Sequence, residues 1–197
     1  RRSDGEPLPF APRVEWVTVG ERELRASITR PRDFDPKQSY PVLVMVYGGP
    51  HARMVRATAR RYLLDQWFAD QGFVVVSADG RGTPRRGRAW ERAIRGNLID
   101  VPMEDQVAAL QALGERYDEL DLDRVGVFGW SFGGYFSSLA VMMRPDVFHV
   151  AVAGAPVADW HDYDTHYTER YLGVPSENPE GYRASSVLTH APGLARP

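Results

Sequence analysis

The sequence contains no cysteine, which excludes disulfide bridges, cysteine metal sites and thiol catalysis. Lysine occurs once, at Lys37, so arginine supplies nearly all of the positive charge. No stretch approaches the roughly 18 apolar residues of a membrane-spanning helix, and residues 1–10 have no apolar signal-peptide segment. With a net charge of −2 and no basic stripe, there is no reason to expect nucleic acid as a partner. The compartment stays open, with bacterial periplasm and cytoplasm both compatible.

The composition is that of an ordinary globular chain. Its 197 residues, 43% hydrophobic and 25% charged, suit one domain or most of one. There is no starting Met, so we expect the chain to begin inside a longer protein. Residues 1–12 then form a linker or the end of an upstream domain, and residues 13–197 form the globular domain.

The hydrophobic pattern predicts alternating strands and helices behind an N-terminal hairpin. Alternation of apolar and polar residues predicts two strands around the turn Gly20-Glu21, at 14–19 and 22–30. Apolar runs predict four more strands, the first three buried on both faces, at 42–47, 73–76, 124–128 and 150–153. Helices are predicted over 57–70, 102–116 and 131–143. This order indicates an α/β fold with a mostly parallel sheet and flanking helices.

Residue types give detail to these helices. In the first, one side carries Tyr62, Leu63, Trp67 and Phe68. The second has Pro102, Glu104 and Asp105 in its first turn, where a proline and negative charge are favoured, and one face carries Val107, Leu110 and Leu113. After Pro156 the chain is rich in Tyr, Asp, His and Pro, and we expect an elaborated loop region.

Gly129-Trp130-Ser131-Phe132-Gly133 fits the pattern G-x-S-x-G. The string alone is weak, because about one unrelated chain in fifteen of this length would contain it by chance. Its position between a predicted strand and a predicted helix is the context of the nucleophile in the α/β-hydrolase fold. The glycines permit a sharp turn, and the Phe132 N–H points to where an oxyanion forms. We therefore predict Ser131 as a nucleophile, the alternative being a purely structural glycine-rich turn.

A serine nucleophile needs a histidine base and an acid that orients it, and in this fold the acid and then the histidine follow the serine. Four histidines follow Ser131: His149, His161, His166 and His190. None of them follows a strand run that ends in an acid. We expect base and acid to lie beyond Pro197, so that the hydrolase fold is truncated at its C-terminus and the chain alone is inactive.

Other polar clusters have less specific interpretations. Asp79-Gly80-Arg81-Gly82 lacks the ending of a phosphate-binding loop, and we predict a tight turn beside the active site. A solvated loop is favoured over a binding patch for Arg81, Arg85, Arg86 and Arg88. No zinc spacing is matched by His161, Asp162, Asp164 and His166. We expect neither a metal nor a cofactor.

Five strings together resemble the dipeptidyl peptidase IV branch of the prolyl oligopeptidase family of serine peptidases. They are Tyr40-Pro41-Val42 through Val46-Tyr47-Gly48-Gly49-Pro50, Asp79-Gly80-Arg81-Gly82, Glu104-Asp105-Gln106, Gly129 through Tyr135, and Ala155-Pro156-Val157 through Tyr167-Thr168-Glu169-Arg170-Tyr171-Leu172-Gly173. The resemblance covers nearly everything from about residue 14 onward. The last string is the most specific, since generic hydrolases lack it.

The resemblance implies roles for matching positions. Ser131 would be acylated, and the Tyr47 hydroxyl would join the Phe132 N–H in the oxyanion hole. The substrate pocket would be lined by Trp130, Phe132, Val157, Trp160, Tyr163 and Tyr167. The last three recur at helical spacing, which is also typical of a buried core face. Relatives usually carry Tyr where this chain has Phe132, so the ring is kept and a hydroxyl is lost.

The function implied is release of Xaa-Pro or Xaa-Ala dipeptides from peptides with a free N-terminus. The amine would be held by an upstream β-propeller domain, of which residues 1–12 could be the end, and the full-length protein would be a homodimer. Prolyl oligopeptidase and acylaminoacyl peptidase are alternatives with the same chemistry and no need for a free amine. A carboxylesterase is a weaker alternative, and a non-catalytic homologue that binds partners is the alternative from another class.

Overall fold

The structure, a computed structural model, describes residues 10–195. Strands and helices alternate along this part of the chain. The strands are Val14–Val19 (β1), Leu24–Thr29 (β2), Tyr40–Val46 (β3), Val74–Asp79 (β4), Leu120–Trp130 (β5) and Val150–Gly154 (β6). The helices are Leu63–Ala69 (α1), Arg88–Arg92 (α2), Asp100–Arg116 (α3), Phe132–Met143 (α4), Thr165–Leu172 (α5), Pro179–Ala184 (α6) and Val187–His190 (α7), with 3-10 turns at Ala59–Tyr62 and Ala191–Gly193.

The six strands form one sheet in the order β1-β2-β4-β3-β5-β6. β1 and β2 form the predicted antiparallel hairpin, β2 is antiparallel to β4, and β4, β3, β5 and β6 run parallel. In the centre, Val44 of β3 lies opposite Val76 of β4 and Val127 of β5. Parallel strands end at the same edge of a sheet, so the loops after β3, β4, β5 and β6 meet there. Ser131 follows β5 at this edge.

Successive residues of β3 face opposite sides of the sheet. Val44 packs in the large core that also contains Leu110 of α3 and Leu139 of α4. Met45 packs in a smaller core with Ala69 of α1. Thus α3 and α4 cover one face and α1 covers part of the other, which confirms the predicted α/β fold.

The loop after β4 is attached to the start of α3 through an ion pair. The Asp105 carboxylate is fully buried, and it accepts hydrogen bonds from the Arg81 backbone N–H (2.6 Å) and guanidinium (2.7 Å). A buried carboxylate is tolerated when it is paired and hydrogen-bonded in this way. A Cβ on Gly80 would overlap Asp105, so glycine is required for this close approach. The interpretation of Arg81 as part of a solvated loop was therefore wrong.

The helix predicted over 57–70 is shorter, and its buried side is different. The chain makes a 3-10 turn and then α1, and α1 buries Asp65 and Gln66 while Trp67 is 54% exposed. Asp65 forms an ion pair with Arg61, and the Gln66 Oε1 accepts a hydrogen bond from the backbone N–H of Arg13 at 2.6 Å. These specific polar contacts outweigh the apolar pattern that placed Trp67 inward.

The prediction of a loop region after Pro156 was also wrong, because α5, α6 and α7 lie there. Asp164 caps α5 by accepting the N–H of Tyr167 at 2.8 Å, and Asn178 caps α6 by accepting the N–H of Gly181 at 3.1 Å. Asp and Asn are preferred at this position because their side chains satisfy otherwise unpaired N–H groups. These short helices pack behind the loop that follows β6.

Candidate active site

Ser131 lies on a strained turn between β5 and α4. Its backbone has φ 58° and ψ −119°, in the left-handed range that side chains rarely adopt. Such strain costs on the order of 1–3 kcal/mol and persists only where the surroundings enforce it. Here the Ser131 N–H donates to the Gly154 carbonyl at 2.9 Å, and its own carbonyl accepts the Tyr135 N–H at 2.9 Å. The side chain is thereby held at the end of the parallel strands.

Three glycines make this turn possible because backbone atoms pass close to each of them. A Cβ on Gly129 would overlap the Gly133 carbonyl, and one on Gly133 would overlap the Val46 carbonyl. A Cβ on Gly134 would overlap the Gly154 carbonyl. The pattern around Ser131 therefore has a steric explanation in this fold.

Tyr47 comes directly after β3 and lies beside Ser131. Burial raises the pKa of the Tyr47 phenol, the nearby Tyr163 phenol raises it further, and the proximity of the Ser131 hydroxyl opposes the shift. The phenol is therefore neutral at pH 7 and can donate a hydrogen bond. A Cβ on Gly49 would overlap the Phe132 ring, so glycine lets the Tyr47 loop pass over that ring.

Phe132 begins α4, and an N–H in the first turn of a helix has no partner within the helix. Its backbone N–H is thus available at the position of an oxyanion-hole donor. The ring is only 2% exposed and packs between Tyr47 (centroids 5.7 Å apart) and Trp160 (5.8 Å). The Phe132 ring thus packs beneath the active site and contacts the rings of Tyr47 and Trp160.

A cavity of about 300 Å³ opens at Ser131. Among the predicted pocket residues, Val157 and Tyr163 line it. Trp160 is buried behind Tyr163 and stacks on Tyr167, with centroids 5.8 Å apart and an interplanar angle of 7°. The structure thus brings one layer of pocket residues to the cavity and places a second aromatic layer behind it.

Trp130 lies apart from this group. Its side chain is 67% exposed and lies against Gly154 of β6, where a Cβ would overlap the indole. It is not among the described residues that line the cavity. The substrate-binding role of Trp130 and the roles of the other site residues stay predictions.

Two features of the site were missed from the sequence. Asp159 and Asp162 line the cavity beside Ser131, although nothing in their spacing indicates this. Asp79 fixes the loop that follows Tyr47, because its buried carboxylate accepts the N–H groups of Met54 (2.7 Å) and Val55 (3.1 Å). Burial raises the pKa of Asp79, and the two backbone hydrogen bonds oppose that shift. The turn predicted at Asp79-Gly80-Arg81-Gly82 placed Asp79 beside the active site, but the role of its carboxylate was not predicted.

All five histidines have partners other than Ser131 in the described part of the chain. The contacts are His51 with the Tyr171 hydroxyl, His149 with the Val125 N–H, His161 with Asp159, His166 with Arg170, and His190 with the Ala184 carbonyl. None of the five hydrogen-bonds to the Ser131 hydroxyl. A general base for Ser131 is thus not found within residues 10–195.

The acidic and histidine residues after Trp160 serve local structure. Asp164 caps α5, and His161 bonds to Asp159 at 2.7 Å. Within residues 10–195, no group of three or more His, Asp or Glu side chains is arranged to hold a metal ion. Over the same residues, no helix is both long and apolar enough to cross a membrane.

A mostly parallel sheet with helices on both faces and a strained serine between strand and helix defines an α/β-hydrolase. The profile of the prolyl oligopeptidase family matches residues 62–196. The chain belongs to this family, and the resemblance found in its sequence strings is confirmed.

Its relatives include peptidases that release dipeptides. Human dipeptidyl peptidase 8 is 45% identical over 170 residues, which is 85% of this chain and 19% of that protein. The crystal structure of Porphyromonas gingivalis dipeptidyl peptidase 4 is 37% identical with a TM-score of 0.82, over 93% of this chain and 26% of that one. A solved Bacteroides ovatus protein reaches a TM-score of 0.87 at 36% identity, over 94% of this chain and 27% of that one. The chain spans about a fifth of the length of the curated relatives it matches.

Proposed function

We propose that this chain is the catalytic core of a serine peptidase that releases Xaa-Pro and Xaa-Ala dipeptides from free N-termini. The observation that carries the proposal is the strained Ser131 with the neutral Tyr47 phenol beside it. The names of the dipeptidyl peptidase relatives support the dipeptide product over the prolyl oligopeptidase and acylaminoacyl peptidase alternatives.

In the proposed reaction, the Ser131 Oγ attacks the carbonyl carbon of the second residue of the substrate. Its proton passes to a histidine outside residues 10–195, and the carbonyl oxygen becomes an oxyanion. The Tyr47 hydroxyl and the Phe132 N–H donate hydrogen bonds to that oxyanion, as pre-oriented donors that strengthen as charge develops. The leaving amine then takes the proton, and an ester on Ser131 remains. Water hydrolyses the ester and releases the dipeptide.

The cavity at Ser131 fits a small, rigid side chain. Val157 and Tyr163 line it, and Ala155 and Pro156 complete an apolar wall. A proline ring is flat, apolar and already restricted in rotation, so its burial costs little conformational entropy. Alanine fits the same space with less contact. Recognition of the free amine and the homodimer of the longer protein stay predictions that the described residues do not address.

The experiment is labelling with a fluorophosphonate followed by peptide mass spectrometry, performed on the product of the whole encoding gene. We expect a single label on Ser131 and turnover of Gly-Pro-para-nitroanilide. Ser131→Ala should lose both, whereas Ser138→Ala should keep both, since the Ser138 hydroxyl only bonds to the Gly134 carbonyl on α4.

The 197-residue chain by itself should show no burst of acylation, because no histidine of the described residues reaches Ser131. Rapid acylation of the chain alone would contradict the expected need for a distant base. Absence of label and turnover in the whole gene product would overturn the peptidase proposal and favour a non-catalytic binding protein.

A further inference from the structure

A cavity beside the active site is lined by arginines. Its volume is about 770 Å³. It lies where β1 and β2 meet the loops after β3 and β4, and the arginines that line it are Arg25, Arg53, Arg56 and Arg85. No aspartate or glutamate is among the described residues that line it. The cavity is therefore strongly cationic, although the whole chain has a net charge of −2.

These four arginines contrast with the eight arginines of the described residues that form an ion pair with a carboxylate. Arg30, Arg81 and Arg124, for example, each form an ion pair with a carboxylate. Within residues 10–195, none of the four cavity arginines does so. Glu91 accepts the backbone N–H of Arg85 at 2.8 Å, and among the described residues no ion pair joins it to the Arg85 guanidinium. A cluster of guanidinium groups without a direct ion-pair partner attracts anions and binds carboxylates in paired hydrogen bonds.

The backbone that presents Arg53 and Arg56 is fixed by buried contacts. The Asp79 carboxylate, in a residue only 3% exposed, accepts the N–H groups of Met54 and Val55, which lie between these two arginines. Both of its oxygens are therefore occupied. The Trp16 indole donates to the Arg56 carbonyl at 3.2 Å, and the Tyr62 hydroxyl accepts the Arg56 N–H at 3.0 Å. The backbone of both arginines is thus held by the fold, and the Arg56 guanidinium also donates to the Arg53 carbonyl at 2.8 Å. The backbone of a binding site at this place would therefore be preformed.

The cavity is joined to the active site through His51. His51 lines the cavity, its ring lies 5.4 Å from that of Tyr167, and Tyr167 stacks on Trp160 behind the substrate pocket. Only three residues lie between Tyr47 and His51 in the sequence. An extended peptide spans about 3.3 Å per residue, so substrate residues that follow the one held at Ser131 are those that would extend along this edge of the sheet.

We propose that this arginine cavity is a subsite for acidic side chains of the peptide substrate. The proposal rests on the proposed peptidase function, because the substrate class comes from it. Glutamate or aspartate of the bound peptide would enter the cavity and pair with Arg53 and Arg56 first, since their backbone positions are fixed. Arg85 is an exposed loop residue, as the sequence interpretation had favoured, and it also lines this cavity.

The test measures binding without catalysis. Two Gly-Pro peptides, one with three glutamates and one with three glutamines after the proline, are titrated into the ¹⁵N-labelled 197-residue chain. The indole N–H of Trp16, which lines the cavity, is followed by NMR and assigned with Trp16→Phe. We expect the glutamate peptide to shift this signal and to bind about tenfold more tightly at low salt, with the difference shrinking as salt is added.

The double variant Arg53→Gln/Arg56→Gln should bind both peptides equally. Arg124→Gln is the matched control, because Arg124 lies near the opposite end of β5, and it should keep the preference. If the first double variant fails to fold, Arg25→Gln/Arg85→Gln removes the same charge from other elements. Equal binding of both peptides by the unmodified chain, or a preference that survives both double variants, would overturn the proposal.

Tripolyphosphate distinguishes a general anion site from a peptide subsite. A Trp16 shift with tripolyphosphate and none with the glutamate peptide would also overturn the proposal. These binding measurements do not require a reactive Ser131. They therefore test the arginine cavity even if the proposed peptidase function is wrong. In an active gene product, the ratio of kcat/KM for the glutamate and glutamine peptides should exceed one and fall to about one in the double variant. Arg124→Gln should preserve that ratio.

Discussion

Tyr47 combines a structural and a chemical role in one side chain. Its ring packs on Phe132, and its hydroxyl lies beside that of Ser131. Because burial raises the pKa of the phenol, Tyr47 keeps its proton throughout the neutral range. Its ability to donate to an oxyanion should therefore not depend on pH near 7, unlike that of a histidine donor.

Tyr47→Phe should lower kcat by about 10²- to 10³-fold and leave KM nearly unchanged, since the lost hydrogen bond strengthens only in the transition state. The ring contact with Phe132 is retained, so folding should be preserved. The measurement is steady-state hydrolysis of Gly-Pro-para-nitroanilide by the whole gene product.

Tyr117→Phe is the matched control, because it removes a hydroxyl that bonds to Glu15 at 2.7 Å, at the end of α3. It should leave kcat unchanged. A similar loss in both variants would show that the effect of Tyr47 is one of general stability.

At the scale of elements, the contact between the start of α4 and the end of β3 positions the nucleophile. Gly133→Ala would press a Cβ against the Val46 carbonyl, which belongs to the sheet and cannot move aside as a side chain can. We expect a loss of roughly 3 kcal/mol in the free energy of unfolding, near the upper range for overpacking. Urea unfolding of the purified chain, followed by circular dichroism, measures this change.

Gly126→Ala provides the comparison within the neighbouring strand β5. The nearest atom to its added Cβ would be a side-chain carbon of Val150, at 3.2 Å, which can adjust. We expect a clearly smaller loss than for Gly133→Ala. If the two variants lose equal stability, the close approach of α4 to the Val46 carbonyl does not set the geometry of the turn.

The elements also show which parts of the fold can be predicted from the sequence. The turn at Ser131 could be predicted because glycines at 129 and 133 stand between a predicted strand and a predicted helix, where the backbone passes close to both. The buried side of α1 could not, because Gln66 is held by the Arg13 backbone, far away in the sequence. The arginine cavity was missed for the same reason, since β-sheet pairing brings Arg25 near the loop that carries Arg53.

At the scale of the whole molecule, β6 is the least protected part of the sheet. It pairs with β5 on one side, and its other side has no strand partner among the described residues. Val150 is 61% exposed and Val152 is 54% exposed, although such an apolar run is typical of a buried strand. An exposed apolar edge of this kind can pair with the same edge of another copy.

We therefore expect the 197-residue chain alone to self-associate as its concentration rises, through β6. Val152→Lys should raise the monomer fraction several-fold, because burying a lysine at a strand-to-strand contact is costly and lysine is a common protection of sheet edges. Val174→Lys is the matched control, since Val174 is 42% exposed and lies outside the sheet. Sedimentation velocity over a range of concentrations measures the monomer fraction. Equal effects of the two substitutions would mean that added charge alone prevents association between copies of the chain. β6 would then not be the surface through which the copies associate.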